Sequence, residues 1–285
     1  ALNQVGASAK SISRNNCPPV EIRGGGFEGN RVSIDCRRSS QYLSGLLLMA
    51  PCTENGLEIY VSGGPVSRPY IEMTLDIMSG FGIRYERNGF TDFRVPGGQS
   101  YLPGAYTVEP DCSQAGYFWA AAAVTGGRVK VSGIRPDTRQ GDVRFAALLE
   151  EMGCRVAYAA DGITVAGGKL SAIDAEMADM PDLVPTLAVV AAFAEGTTVI
   201  RNVAHLRDKE SDRLAAVARE LTKMGVTART TEDGLKITGG GARGAEIETY
   251  DDHRIAMSFS VAGLVVPGIR IGDPGCVEKS FPGFW

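Results

Sequence analysis

The sequence predicts an α/β chain assembled from one recurring unit, and three observations predict it. First, the order strand, polar turn, apolar helix, strand, loop, amphipathic helix closing in Gly, strand is written at least three times, and a fourth copy begins near the end. Second, the copies keep register: Gln41 returns as Gln114, 73 residues on, and the closing glycines Gly82, Gly153 and Gly225 follow at intervals of 71 and 72. Third, the first helices of the units, such as AAAAV and LAVVAAFA, are apolar nearly all round, which predicts inside-out lobes with enclosed helices and sheets packed outside them.

In chain order, the first copy reads strand RVSID, turn CRRSSQ, helix YLSGLLLMA, strand LEIYVSG, helix YIEMTLDIMSGFG and strand IRYE. The second reads YTVEPDCSQ as strand and turn, then AGYFWAAAAV, GRVKVSGI, DVRFAALLEEMG and CRVAYA. The third reads IDAEMADMPD, LVPTLAVVAAFAEG, TTVIRNV, KESDRLAAVARELTKMG and VTART. In its second helix Leu214, Val217, Ala218 and Leu221 form an apolar stripe at helical spacing, and the closing Met-Gly is a stop signal. The fourth begins with AEIETYDDH, RIAMSFSVAGL and IRIGD. The opening ALNQVGASAKSI looks like the end of a second helix and its strand, and NNCPPVEIRGGGF like a turn and closing strand, so the chain is expected to start inside a unit.

A chain of 285 residues exceeds the size at which one core keeps growing, which predicts two lobes. The Gly/Pro-rich stretch PGGQSYLPGAY places their boundary, with residues 1–108 as a partial first lobe (the end of one repeat plus one full repeat) and 109–285 as the second. A net charge of −4 leaves no basic excess for a nucleic-acid backbone, so an anionic ligand needs cations gathered locally. The six cysteines form no CxxC pair and have no metal spacing to His205 or His253, which predicts reduced thiols. No apolar run nears the ~20 residues of a membrane helix and no signal-peptide pattern opens the chain, so a cytoplasmic protein without membrane or nucleic-acid partners is expected.

Aligned copies place Ser39-Ser40-Gln41, Ser113-Gln114, Asp182 and Asp252-His253-Arg254 at the starts of the enclosed helices. Helix N-termini carry unpaired N–H groups and partial positive charge, so several converging on one cavity would form an anion site. Simple N-capping is the favoured role for Ser113 and Asp252. In RDKESDRLAAVARELTKMG, Lys209 and Arg213 are four apart, hence on one helical face, with Glu210 beside them and Asp212 available to orient a guanidinium. A solvated helix start would look the same as a charge pattern, but Arg254 at another helix start and Lys279 in DPGCVEKSFPGF add cations suited to a carboxylate or phosphate. The Gly runs at 24–26 and 239–241 match no phosphate-loop or dinucleotide spacing and read as turns, so no nucleotide cofactor is implied.

Together SSQ at 39–41, VSRPYIEMTL at 66–75, PD at 181–182, RDKESDR at 207–213, YDDHRIAMSFS at 250–260 and DPGCVEKSFP at 273–282 closely resemble, in order along the chain, the 5-enolpyruvylshikimate-3-phosphate synthase family. The resemblance implies the enolpyruvyl transferase fold, two lobes each of three βαβαββ units that close over the substrates. It implies transfer of the enolpyruvyl group of phosphoenolpyruvate to the 5-hydroxyl of shikimate 3-phosphate with release of phosphate, in the shikimate pathway to aromatic amino acids, with no metal or organic cofactor. By matching positions it assigns Ser39, Ser40, Gln41, Ser67, Tyr70, Asp182, His205 and Lys209 to shikimate 3-phosphate, and Gln41, Arg213, Arg254 and Lys279 to phosphoenolpyruvate. Asp182 becomes the proton acceptor and Glu210 the proton donor.

The family's earlier Lys-Ser and Gly-Asn-Ala-Gly-Thr segments have no match here, and His205 stands where Asn is frequent. The chain as it stands is therefore expected to lack ligands and to be inactive without them, with the missing N-terminal segment of the same enzyme a candidate partner in trans. Two other readings compete with this one: the sister transferase that acts on UDP-N-acetylglucosamine, and a non-catalytic repeat scaffold.

Overall fold

The repeat in the sequence is also a repeat in sheet topology. The structure is a computed structural model that describes residues 1–15, 17–24 and 26–285. Asn16 and Gly25, which fall in the predicted turn and strand segment NNCPPVEIRGGGF and the first Gly run, lie outside the described residues. The chain separates into two compact units, Ala1–Thr107 and Val108–Trp285.

In the first unit, β1 (Ser8–Ser11) and β2 (Val20–Arg23) pair antiparallel. Then β3 (Arg31–Asp35), α1 (Gln41–Met49), β4 (Leu57–Gly63), α2 (Arg68–Gly80), β5 (Glu86–Asn88) and β6 (Asp92–Val95) complete a βαβαββ unit. Its sheet has the order β3-β4-β6-β5, with β3 parallel to β4 and the other pairs antiparallel. Alternation along β4 buries Leu57, Ile59 and Val61 against Leu43, Leu47, Ile71 and Leu75 of the two helices, while Tyr60 faces outward. Two expectations fail in this unit. Of the predicted strand IRYE only Glu86 is in β5. Helix α1 is not enclosed: α2 and the sheet cover one stripe, leaving Leu48 42% exposed and Tyr42 66% exposed at an apolar hollow of about 670 Å³.

The second unit repeats the pattern with α3 (Cys112–Thr125), β7 (Arg128–Ser132), α4 (Phe145–Glu151), β8 (Arg155–Ala159), β9 (Gly162–Ala166), β10 (Asp174–Glu176), α5 (Val184–Ala191), β11 (Thr197–Arg201), α6 (Arg213–Lys223), β12 (Thr227–Thr230), β13 (Leu235–Thr238), β14 (Glu246–Ile247), α7 (His253–Gly263) and β15 (Arg270–Ile271). The sheet β10-β11-β13-β12 reproduces β3-β4-β6-β5 pair for pair, and parallel β14 and β15 begin a further copy. The sheet β7-β9-β8 lacks the first strand expected from YTVEPDCSQ. Residues 101–111 form no strand; Pro103 and Pro110 each lack the N–H that a ladder needs. Here the enclosed helices are found: α3, α5 and α7 pack on one another, every residue of α5 is buried, and the hydroxyls of Thr186 and Ser258 satisfy each other at 3.0 Å.

Glycine closes each amphipathic helix for a stereochemical reason. Gly82, Gly153 and Gly225 adopt φ of 82°, 110° and 80°, the left-handed conformation that ends a helix without a Cβ clash. A second set is fixed by close backbone approach, where the sequence suggests for Gly239 only a turn. Gly97, Gly167 and Gly239 follow equivalent strands where the backbone passes against a neighbouring segment, and a Cβ there would lie 2.4, 2.4 and 2.0 Å from the carbonyl oxygens of Thr53, Ala122 and Ala194. Gly239→Ala is therefore expected to lower stability by about 1–3 kcal/mol through overpacking, read as a reduced denaturation midpoint at unchanged slope. An unchanged midpoint would show that the approach can relax. Among the described residues, no helix is long and apolar enough to cross a membrane.

Candidate active site

Three helix starts in the second unit bring their charged side chains together. Asp182 lies in the 3-10 turn Pro181–Leu183 that leads into α5, Arg213 is the first residue of α6, and Asp252 caps α7 by accepting from the Arg254 N–H at 2.9 Å. The approach to α7 is strained locally, since Tyr250 and Asp251 hold φ of 56° and 55°. Tyr250 is anchored by donating to the buried Glu220 carboxylate at 2.6 Å, which helps fix the turn that aims Asp252.

Arg213 is the hub and is 1% exposed. Its Nε and Nη2 grip Asp252 at 2.8 and 3.2 Å in a two-point bond, Nη1 donates to Asp182 at 2.8 Å, and Nη2 also donates to Glu210 at 2.8 Å. Four of the five guanidinium N–H donors are thus committed. Asp182 accepts at its other oxygen from Arg254 Nη2 at 3.1 Å, and Arg254 Nη1 donates to the Tyr117 hydroxyl at 3.1 Å. Glu210 accepts at its other oxygen from Lys279 Nζ at 2.5 Å. Three carboxylates, Asp182, Glu210 and Asp252, are therefore interleaved with three cations, and Ser211 adds a hydroxyl donor to Asp252 at 3.0 Å.

The electrostatics follow from this lattice. Burial pushes the Asp182 carboxyl up, but Arg254, Arg213 and Lys209 outweigh it and hold the group well below the usual carboxylate range. Burial likewise raises Glu210, yet the Lys279 hydrogen bond and the Arg213 charge bring it down to about 2. Both are ionised at neutral pH. Burial pushes His205 down to about 4, helped by the Lys209 ammonium, so its imidazole is neutral. Among the described residues, His205 Nε2, His253 Nδ1, Arg254 Nε and Ser280 Oγ are buried polar atoms without a hydrogen-bond partner. Four such atoms on or beside one charged cluster are the donors and acceptors that a polar ligand would use.

The depressed values make stability pH-dependent with a defined sign. His205 stays neutral in the fold but protonates in the unfolded chain below its ordinary 6.5, so stability drops as pH falls from 6.5 toward 4. Glu210 contributes stability that is complete above its ordinary 4.5 and lost as pH falls toward 2. Unfolding followed from pH 7 to 3 should show both stretches, and His205→Asn should shrink only the upper one, to which burial of His253 adds a further part. A profile unchanged by His205→Asn would remove His205 as its cause.

Several readings from the sequence are corrected. Lys209 and Arg213 do not share a helical face, because Lys209 is extended and precedes α6; its charge still reaches Asp182 and His205 through space. Asp212 caps α6 through the Ala215 N–H and lies 3.9 Å from Arg207, while Arg213 takes its orientation from Asp252, 39 residues away. Ser113 is not the cap of α3: Asp111 is, accepting from both the N–H and the hydroxyl of Ser113. Asp252 is a cap, but it is also the fully buried counter-ion of Arg213.

The structure thus brings together Asp182, Glu210, Arg213, Arg254 and Lys279, with Lys209 and His205 within electrostatic reach. The other predicted residues belong to the first unit. Ser40 is buried at the start of α1, and Gln41 opens that helix and donates its N–H to Ser39 Oγ at 3.2 Å. Ser67 is buried at the start of α2 with φ 54°, an unfavourable conformation for a non-glycine residue, and Tyr70 lies in the first turn. Tyr117 and Gln114 were missed as supports. Tyr117 is the hydroxyl-bearing aromatic on an enclosed helix, and a buried phenol needs a partner, which was the available signal. Gln114 donates to the Ser280 carbonyl at 2.7 Å, tying the segment after Lys279 to α3.

Comparison with known proteins bears on this geometry. The family profile described as EPSP synthase (3-phosphoshikimate 1-carboxyvinyltransferase) matches residues 1–285. A protein of Syntrophobacter fumaroxidans named 3-phosphoshikimate 1-carboxyvinyltransferase is 47% identical over 288 residues, covering all of this chain and 68% of its own length. One of the same name from Methanoculleus marisnigri is 46% identical, with the same coverage. The solved EPSP synthase of Acinetobacter baumannii superposes with a TM-score of 0.78 at 31% identity, over 99% of this chain and 67% of that one. The enolpyruvyl transferase NikO of Streptomyces tendae superposes at 0.73 with 20% identity, over 98% of this chain and 66% of that one, a likeness of fold.

Proposed function

Because the chain belongs to the EPSP synthase family, we propose that it moves the enolpyruvyl group of phosphoenolpyruvate to the 5-hydroxyl of shikimate 3-phosphate and releases phosphate, a step toward aromatic amino acids. The observation that carries this reading is the pairing of two ionised carboxylates, Asp182 and Glu210, with Arg213, Arg254 and Lys279. These cations suit the carboxylate and phosphate of phosphoenolpyruvate, and Gln41 is assigned to the same substrate by the family resemblance. Ser39, Ser40, Gln41, Ser67, Tyr70, Asp182, His205 and Lys209 are assigned to shikimate 3-phosphate on that resemblance. A cytoplasmic location goes with this reading, supported by six free cysteines.

In the addition half, Asp182 takes the proton of the attacking 5-hydroxyl as that hydroxyl's oxygen bonds to the central carbon of phosphoenolpyruvate, and Glu210 protonates the methylene carbon. Elimination then returns a proton from the new methyl group to the Glu210 carboxylate while the C–O bond to phosphate breaks, releasing phosphate and regenerating the enol double bond. A donor held near 2 cannot deliver a proton at pH 7. The incoming anion must therefore draw Lys279 and Arg213 away from Glu210, which raises that carboxyl and lets it load a proton. The same exchange leaves cations in place to hold charge on the departing phosphate.

Incubating the chain with both substrates, together with the N-terminal segment expected as its partner in trans, should release phosphate, with neither substrate alone sufficient. Absence of release, or release with UDP-N-acetylglucosamine in place of shikimate 3-phosphate, contradicts the reading.

A further inference from the structure

We propose that Tyr117 is a positioning residue for Arg254: its buried hydroxyl fixes one arm of the guanidinium so that the opposite edge is offered to the substrate anion. Arg254 is 6% exposed and would have many rotamers, yet two of its nitrogens are pinned from different helices. Nη1 donates to Tyr117 of α3 and Nη2 donates to Asp182 at the start of α5, both at 3.1 Å. Its Nε–H has no partner among the described residues. The arm that Tyr117 holds is the one not shared with Asp182, so the phenol keeps the guanidinium in place when a ligand competes for the Asp182 side.

The phenol suits that task. It is 2% exposed and burial pushes its pKa up to about 12, so it stays a neutral acceptor beside the cation at any working pH. A carboxylate in its place would add charge that competes with the substrate anion for Arg254; the hydroxyl orients without neutralising. Its ring is itself held, meeting Phe284 edge-on at 5.8 Å, and Phe284 meets Phe281 at 5.6 Å in the segment that follows Lys279. One residue of α3 thus touches both Arg254 and the chain segment next to Lys279.

This assignment rests on the transferase reading and deepens it, and the test separates the two. Tyr117→Phe keeps the ring and removes only the acceptor, so the fold should be retained with a thermal midpoint close to the original. In the full chain, the KM for phosphoenolpyruvate should rise about tenfold, the size of effect expected for a lost hydrogen bond to a charged group, while kcat changes less than about twofold and the KM for shikimate 3-phosphate holds. In an Arg254→Lys background the same substitution should have little further effect, because the partner atom is gone.

An unchanged phosphoenolpyruvate KM overturns the proposal. So does a parallel loss in both substrates and in thermal midpoint, or full additivity with Arg254→Lys. If the unmodified chain releases no phosphate even with the N-terminal segment supplied in trans, the transferase reading fails, and calorimetric affinity for phosphoenolpyruvate decides Tyr117 instead: a weakening in Tyr117→Phe supports the role and equal affinity refutes it.

Discussion

Arg213→Ala is expected to raise the phosphoenolpyruvate requirement on the order of a hundredfold and to cost about 3–5 kcal/mol of stability, the largest combined effect of any single substitution in the site. Removing the guanidinium leaves Asp252, fully buried, without its two-point partner, and leaves Asp182 and Glu210 each short of one charge-assisted hydrogen bond. Stability and binding can be separated with a second change. Asp252→Asn in the Arg213→Ala background removes the stranded charge and should recover part of the stability, read by denaturant unfolding. The raised phosphoenolpyruvate requirement should persist in that double variant, because no cation has been restored. Recovery of both together would mean that Arg213 serves the fold alone.

Glu210→Gln is expected to lower kcat by a factor of roughly 10² to 10⁴, the range that positioned acid–base groups supply. The KM for phosphoenolpyruvate should stay level or fall, because the glutamine no longer competes with the substrate anion for Lys279 and Arg213. A purely electrostatic role for Glu210 would give the opposite signature, a shifted KM with turnover intact. The direction of the KM change therefore matters as much as the loss of rate.

The periodic part of the fold was legible before any coordinates. The closing glycines required φ near 80–110° and marked three units, and the buried faces of β4 and α6 followed their own periods of two and of three to four. What escaped was set by contacts distant in sequence or by local backbone. The strand expected from YTVEPDCSQ does not form, and Pro110 within it lacks the N–H a ladder needs, while α1 matches the apolar look of α3 and α5 without being enclosed. Within the site, residue types were legible, since Arg213, Arg254, Lys279, Asp182 and Glu210 meet as charged partners.

Their pairing was not. Asp252 is 39 residues from Arg213 and Tyr117 is 137 from Arg254, and no spacing rule along one helix reaches that far. Lys209 was misplaced because an i,i+4 count presumes a helix that begins only at Arg213. The charge balance also differs from a bare cationic pocket. Asp182 and Glu210 occupy the arginine and lysine donors that an anion would use, so on the proposed reading binding would be an exchange of partners.

That exchange has a direct readout in protons. Calorimetry of phosphoenolpyruvate binding without shikimate 3-phosphate, so that no turnover adds heat, repeated at pH 7 in buffers of different ionisation enthalpy, counts the protons taken up. Displacement of Lys279 and Arg213 from Glu210 should give net uptake approaching one proton, abolished by Glu210→Gln. Binding with no proton exchange, or with uptake that survives Glu210→Gln, would contradict it.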